Sequence, residues 1–268
     1  GDGYYNDLLD YFEKLYNSAK KYDSDISFVG SLYTEKDPYL DIKNPSEFLK
    51  GFVDGLYNCQ KNVQGVNVIE PALSDGVIAE LKEKLPKYFV SKDACVQDMD
   101  RFIASHYILD MHCSSLERVE FLDSLAGNFD LSLYTRSPLP TDATNLKSKG
   151  GVSTLTEMPK VFNLSKINLN MTIHSIETGA SLRIWDIMGC GGFLLTNYQP
   201  ELDNYLVAGE DYDYYTSLED LNEKCDYYLK HDDVRKAIAL NGYEKVKTLH
   251  CYGNRFPVIF NEVMKLFE

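Results

Sequence analysis

A parallel β-sheet with helices on both faces is the architecture this sequence predicts, and three observations lead to it. Short apolar runs, Asp25 to Ser31 and Phe193 to Thr196, have the length and character of strands buried on both faces. From residue 129 onward such runs alternate with segments of helical periodicity, the pattern of a βα-repeating sheet. Small-residue loops at Gly30-Ser31 and Thr178 to Ser181 follow strands, where open α/β sheets bind ligands.

Taken in order, residues 4–22 set Tyr5, Leu8, Leu9, Phe12, Leu15, Tyr16 and Ala19 at helical spacing and predict an amphipathic helix. A chain opening in a helix with no strand before it reads as starting partway into a longer protein. The first strand follows at 25–31. Residues 40–126 then carry helical periodicity over 45–64, 74–86 and 94–126, broken mainly by Pro45, Pro71 and Pro86, which predicts a helical insertion. Strand character resumes at 129–135 and gives way to a Ser-, Pro-, Gly- and Lys-rich loop ending at Gly151. Thereafter helix is expected over 156–164, strand over 166–171, helix over 181–188 and strand over 193–196. A short strand near 213–215, a helix over 217–230 and two or three closing helices complete the chain.

Of 268 residues, 44% are hydrophobic and 25% charged, as in a globular protein able to bury a core. Twenty-seven Lys and Arg against 41 Asp and Glu leave a net charge of -14. That balance argues against a nucleic-acid or anionic-membrane surface, either of which needs clustered cations. No apolar run approaches the ~18–20 residues needed to cross a bilayer. The opening Gly1 to Asp7 is acidic, unlike a signal peptide. Six cysteines without a CxxC pair (Cys59, Cys95, Cys113, Cys190, Cys225, Cys251) read as reduced thiols of a cytoplasmic protein.

The most informative stretch is 168–197, with the logic strand, small-residue loop, helix, glycine turn, strand. Small residues at a helix start leave backbone N–H groups open, and with the helix dipole they form a seat for a diphosphate. Gly179, Ala180, Ser181 and Leu182 would supply it, with Arg183 in the first turn. Asp186 lies about one and a half turns along, placed to accept from ribose hydroxyls. The competing reading is that Ser181 only caps the helix and Asp186 is a solvated acid favoured by the dipole. Asp-x-Asp at 23–25, 98–100 and 211–213 is short enough to arise by chance in so acidic a chain. His112-Cys113 and His250-Cys251 lack further ligands at zinc spacing, so no metal is expected.

Several segments together resemble the CgeB-like (spore maturation protein B) glycosyltransferases. They are Phe28 to Tyr33, Glu117 to Leu122, Leu133 to Thr135, Thr156 to Phe162, 168–172, Leu182 to Tyr198 and Asn241 to Val246. The resemblance covers 25–265 in order. It implies the C-terminal, Rossmann-like, donor-binding half of a GT-B glycosyltransferase over 25–268, with 1–24 leading from an N-terminal domain that precedes residue 1. It implies a nucleotide-sugar donor, with UDP or GDP as the nucleotide, no further cofactor, and an acceptor the sequence does not identify.

By the same resemblance, Gly30, Ser31, Tyr134, Thr135, Ser137 and Met158 would line the donor site beside 179–183 and Asp186. Where retaining GT-B enzymes carry Glu-x7-Glu, this chain has Thr178 and Asp186, with Glu177 one residue out of place. The Gly-Arg pair after the first strand becomes Gly30-Ser31, and the following lysine has only Lys36 as a counterpart. His174 stands where the family pattern has arginine, and is expected, with Thr178, at the catalytic position. It reads as a phosphate ligand, a neutral donor to the sugar, or a satisfied structural histidine. Arg183 and Arg136 are the remaining candidate cations. The alternatives are a degenerate transferase-like domain kept for binding or assembly, and an interaction module using the helical insertion.

Overall fold

The structure, a computed structural model, describes residue 10 and residues 13–89 and 98–267. Cys95 and the expected start of the first helix, Tyr5 to Leu9 and Phe12, lie outside the described residues. Helix α1 covers 13–20. Strand β1 (Ser24–Val29) is followed by helices α2 (Glu47–Gln60), α3 (Ile69–Ala72), α4 (Asp75–Lys84), α5 (Met99–Phe102) and α6 (Asp110–Asn128). Then come β2 (Leu131–Tyr134), α7 (Met158–Leu164), β3 (Ser165–Asn170), α8 (Leu182–Gly189), β4 (Leu194–Asn197) and β5 (Asp213–Tyr215). Helices α9 (Leu218–Lys230), α10 (Asp232–Lys245) and α11 (Tyr252–Met264) close the chain. The parallel α/β class expected from the sequence is what the structure has, and every regular element described between β1 and β2 is helical.

All four strand pairings are parallel, and the order is β2-β1-β3-β4-β5. The chain leaves β1 for one neighbour, β2, and then crosses to the other, β3. The switch point therefore lies between the C-terminal ends of β1 and β3, the place where open α/β sheets bind ligands. Register sets Phe28 beside Leu133 on one side and Leu169 on the other.

Alternation along the strands divides the core. Ile26, Phe28, Ile167, Leu169 and Leu195 face a layer formed by Phe121, Leu122 and Leu125 of α6 with Leu221, Cys225 and Tyr228 of α9. Leu194 and Tyr134 face the opposite layer, where Val161 and Phe162 of α7 pack with Ile184, Ile187 and Met188 of α8. A separate cluster, including Leu49, Val53, Ile69, Val77, Leu81 and Ile108, makes the insertion a helical unit with its own core. Ser46 and Ser74 cap α2 and α4 by accepting from the Leu49 and Val77 N–H groups. Pro86 opens a single 3-10 turn over Pro86–Tyr88. Between α5 and α6 the helix widens to π geometry over Ile103–Leu109, a local irregularity that apolar periodicity does not reveal.

On the α7/α8 face the central strands carry small or polar residues. Ser27 Oγ donates to Asn168 Oδ1 (2.9 Å), and Asn168 Nδ2 donates to the Phe162 carbonyl (2.9 Å). The turn before β4 packs directly onto this pair. A Cβ at Gly192 would stand 2.5 Å from the Phe162 oxygen and 2.6 Å from Asn168 Nδ2. Backbone cannot swing away as a side chain can, so Gly192→Ala is expected to destabilise the fold by about 2 kcal/mol. Urea denaturation checks this, and an unchanged midpoint would contradict it.

Candidate functional site

At the switch point a cleft with two adjoining lobes opens. The first, ≈ 360 Å³, is floored by the strand ends Val29-Gly30-Ser31 and Asn170-Met171-Thr172 and walled by Ser181, Leu182, Arg183 and Asp186. The second, ≈ 330 Å³, shares Val29, Gly30, Ser31 and Arg183 with the first and extends past Tyr134, Thr135, Ser137, Gly151 and Met158. Nine expected donor-site residues are thus brought together: Gly30, Ser31, Tyr134, Thr135, Ser137, Met158, Ser181, Leu182 and Arg183, with Asp186 as a tenth. Gly179 and Ala180 stand behind the lining. Gly179 has φ +89°, the left-handed turn that delivers the chain into α8, and Ala180 packs on the α7/α8 core.

The opening turn of α8 has the expected character. Ser181 is extended (φ -57°, ψ 137°), and its side chain makes no capping bond. Its carbonyl accepts from the Ile184 N–H (3.1 Å), while the Leu182 and Arg183 N–H groups have no protein acceptor among the described residues. Leu182 is 80% exposed, so nothing seals this end. Asp186 lies one turn further and is paired only loosely with Arg183 (3.7 Å). A pair this long, with Asp186 44% exposed, contributes little and leaves the carboxylate open to a ligand. The Arg183 guanidinium lies over the Phe162 ring (5.5 Å) and donates to Met158 Sδ. Burial lowers its pKa from the usual value, with Asp186 opposing that shift.

The corner after β1 is tightly knitted. Ser137 Oγ accepts from the Leu32 N–H (2.8 Å), and Ser31 Oγ accepts from the Tyr33 N–H (2.9 Å) and donates to Glu35 (2.9 Å). Tyr33 has φ 66°, a conformation that L side chains rarely adopt. Burial would raise the Glu35 pKa, but hydrogen bonds from Ser137, its own backbone and Ser31, with nearby Lys36, hold it below the usual value. The hydroxyl of Ser31 is therefore a loop-forming group, and Lys36 and Arg136 are the basic residues of the second lobe beside Arg183.

His174 requires a correction. It is expected at the diphosphate or the sugar, but its side chain is 2% exposed, its Nε2 lies 2.6 Å from Glu117 Oε2, and it does not line either lobe of the cleft. Among its three readings, the satisfied buried histidine is the one this geometry fits. Burial pulls its pKa down, but the bond and charge of Glu117, with Asp110, outweigh burial and Arg118 and raise it above 6.5. Thr178 is likewise not brought to the cleft: it is exposed in the loop before α8, and Glu177 beside it is exposed too. The loop between β3 and α8 reaches the cleft through Ile173 and Ile176 instead, while Glu177 and Thr178 are exposed ahead of the turn at Gly179.

Arg118 is the functional side chain that sequence reasoning missed. From α6 it donates to the Ser31 carbonyl (2.5 Å) and to the Met171 carbonyl, tying the ends of β1 and β3 together in the cleft floor. Its guanidinium lies 4.1 Å from the Tyr33 ring centre. The available signal was a charged residue three and four positions before Phe121 and Leu122, on the apolar face of its helix.

Comparison with known proteins gives the site its context. A comparison with curated proteins finds no match. Among solved structures, the chain is similar to the C-terminal domain of a glycosyl transferase group 1 family protein, LpcC, from Francisella tularensis. The identity is 14%, over 50% of this chain and 78% of that one, with a TM-score of 0.38. It is also similar to a mutant of S. aureus TarM in complex with fondaparinux, alpha-GlcNAc-glycerol and UDP (12% identity, 56% of this chain and 33% of that one, TM-score 0.44). A second TarM structure matches at 12% identity over 54% of this chain and 30% of that one, with a TM-score of 0.39. The chain thus spans about a third of the TarM chains. No described helix is long and apolar enough to cross a membrane. The model of the glycosyl transferase-like family matches residues 117–261, more than half of the 268, and the chain belongs to that family.

Proposed function

We propose that this chain is the donor-binding half of a CgeB-like glycosyltransferase of the GT-B plan, and that the switch-point cleft holds a nucleotide sugar. One observation carries the reading: the two unpaired N–H groups of the first turn of α8, the Asp186 carboxylate and the Gly30-Ser31 corner border one cleft. The diphosphate rests on the Leu182 and Arg183 amides at the positive end of the helix dipole. Asp186 accepts from the ribose hydroxyls. The base of UDP or GDP lies in the second lobe, among Tyr134, Thr135, Ser137 and Met158.

Loss of the sugar leaves negative charge on the diphosphate, and fixed dipoles stabilise such charge without reorganising during the reaction. The α8 amides supply those dipoles, Arg183 adds a cation, and no metal is assigned a step. The acceptor site belongs to a domain preceding residue 1, and the protein works in the cytoplasm. The isolated chain therefore binds nucleotide but transfers sugar slowly or not at all.

The test is thermal unfolding of the chain with UDP, GDP and their sugars. A nucleotide at 100 times its dissociation constant stabilises by about 2.7 kcal/mol. One nucleotide should raise the melting temperature, and Asp186→Ala should abolish that rise. No shift with any of them, or an equal shift in Asp186→Ala, overturns the reading. A degenerate transferase kept for binding is the second reading, favoured by the position of Thr178 and Glu177 outside the cleft lining. Donor binding without transfer or donor hydrolysis in a chain that includes the preceding domain would select it.

A further inference from the structure

Glu35 takes no part in holding the diphosphate or the ribose, yet among the described residues it is the one acid that lines the second lobe. It stands on the loop that follows β1, and that loop is pinned to the exit of β2. Thr34 Oγ1 donates to the Pro138 carbonyl (2.7 Å), and the Lys36 N–H donates to the Tyr33 carbonyl (2.9 Å), closing the turn that carries Glu35. Tyr33 is held at φ 66° with the Arg118 guanidinium 4.1 Å from its ring centre. A carboxylate on such a turn is in place before a ligand arrives, so binding costs little further ordering.

Only part of its hydrogen-bonding capacity is used. Ser31 Oγ donates to Glu35 Oε1 (2.9 Å), and Lys36 Nζ lies 3.8 Å from the same oxygen. Oε2 has no partner among the described residues, and the side chain is 33% exposed. Because its pKa is held below the usual value, Glu35 is charged at neutral pH and can only accept. It therefore offers two acceptor oxygens, with a cation beside them, to the lobe assigned to the base. The bases differ in what they can give such a group. Guanine sets two donors side by side, N1–H and N2–H₂, next to the O6 acceptor. Uracil has one N–H between two carbonyls, so a carboxylate that takes it also meets a carbonyl oxygen. Adenine and cytosine carry a lone pair beside their single amino group.

We propose that Glu35 selects the base and that the donor is a guanosine diphosphate sugar, an assignment that rests on the switch-point cleft being a donor site. N1–H and N2–H₂ donate to the two Glu35 oxygens, and the Lys36 ammonium donates to O6. Two charge-assisted bonds to one carboxylate fix the plane of the base as well as its identity. A site built to accept both donors discriminates against a base that lacks one, because an acceptor is then left unpaired.

Calorimetric titration of the chain with GDP, IDP and UDP tests it; IDP differs from GDP only in lacking the N2 amine. GDP should bind at least tenfold more tightly than UDP and at least threefold more tightly than IDP. Glu35→Gln puts an amide donor against the base donors, so it should weaken GDP tenfold or more and remove its advantage over IDP. A loop merely loosened by the substitution would weaken both nucleotides alike, and that result would overturn the proposal. So would equal binding of GDP and IDP by the wild type, or UDP binding as tight as GDP. The wild-type series decides the matter by itself if Glu35→Gln fails to fold. The two levels of inference fail differently. If none of the nucleotides binds, the donor cleft falls and the base assignment with it. If all three bind alike and Asp186→Ala weakens them, the cleft stands and the guanine assignment alone is lost.

Discussion

Glu117→Leu is expected to destabilise the protein by about 3–5 kcal/mol at pH 6, the usual consequence of removing one partner from a buried ion pair. Glu117 is 5% exposed and bound at both oxygens, to His174 Nε2 (2.6 Å) and to Gln64 Nε2 (2.9 Å). Gln64 in turn accepts from Asn197 (3.2 Å), and Asn197 bonds both the N–H (2.8 Å) and the carbonyl (3.0 Å) of Thr172. This buried chain of bonds joins the helical insertion to the ends of β3 and β4. Leucine would leave a charged imidazole and a buried amide without partners, and both border on the strand ends that floor the cleft.

The pH dependence follows from the raised pKa of His174. The folded state holds this proton more tightly than the unfolded chain, whose histidine titrates near ~6.5. The stability from the pair is therefore complete below about pH 6.5 and is lost as pH rises through the higher folded value. Urea unfolding at pH 6 and pH 8 should show the wild type losing stability on going up. In His174→Gln that part of the slope should vanish, and a parallel slope in both proteins would contradict the pairing.

Arg118→Met is expected to destabilise by about 3 kcal/mol and to remove any nucleotide-induced stabilisation along with it. The loss leaves the buried Met171 carbonyl and the half-buried Ser31 carbonyl without their donor, at about 1–3 kcal/mol for a buried one. Methionine keeps most of the packing against Tyr33, so the measurement isolates the hydrogen bonds. Arg118→Lys should recover little, because one ammonium does not reproduce a planar fork reaching two strands. Denaturation with and without UDP checks both parts. Wild-type stability in Arg118→Met would show that the clamp does not hold the strand ends.

Much of the fold was legible because burial imposes a period on the sequence. Leu194 and Leu195 face opposite layers of the core, so the strand had to be apolar on both sides, and it reads that way. The helical insertion was legible for the same reason, since its own core needs Leu49, Val53 and Leu56 at helical spacing. The π segment Ile103–Leu109 was not, because a helix widened by one residue per turn keeps nearly the same apolar pattern. That Gly30, Ser181 and Asp186 would border one cleft was legible from local geometry: a small residue at a strand end and an acid along the first turns of a helix. Local geometry also placed His174 and Thr178 there, yet His174, between the lining residues Ile173 and Ile176 in sequence, is turned to Glu117, and Thr178 is exposed to solvent.

The sequence by itself determined the layered parallel sheet, the inserted helical unit and the open first turn of α8. Each of these follows from periodicity or from backbone conformation within a few residues. Only the tertiary structure decided the partners of the buried charges: that Glu117 takes His174, that Asp37 takes His112, and that Arg118 clamps two strand ends. Those pairs join residues as far as 87 positions apart. Coulombic and hydrogen-bond energies fall off over a few ångströms of space, not of chain, so no pattern of spacing along the sequence encodes them.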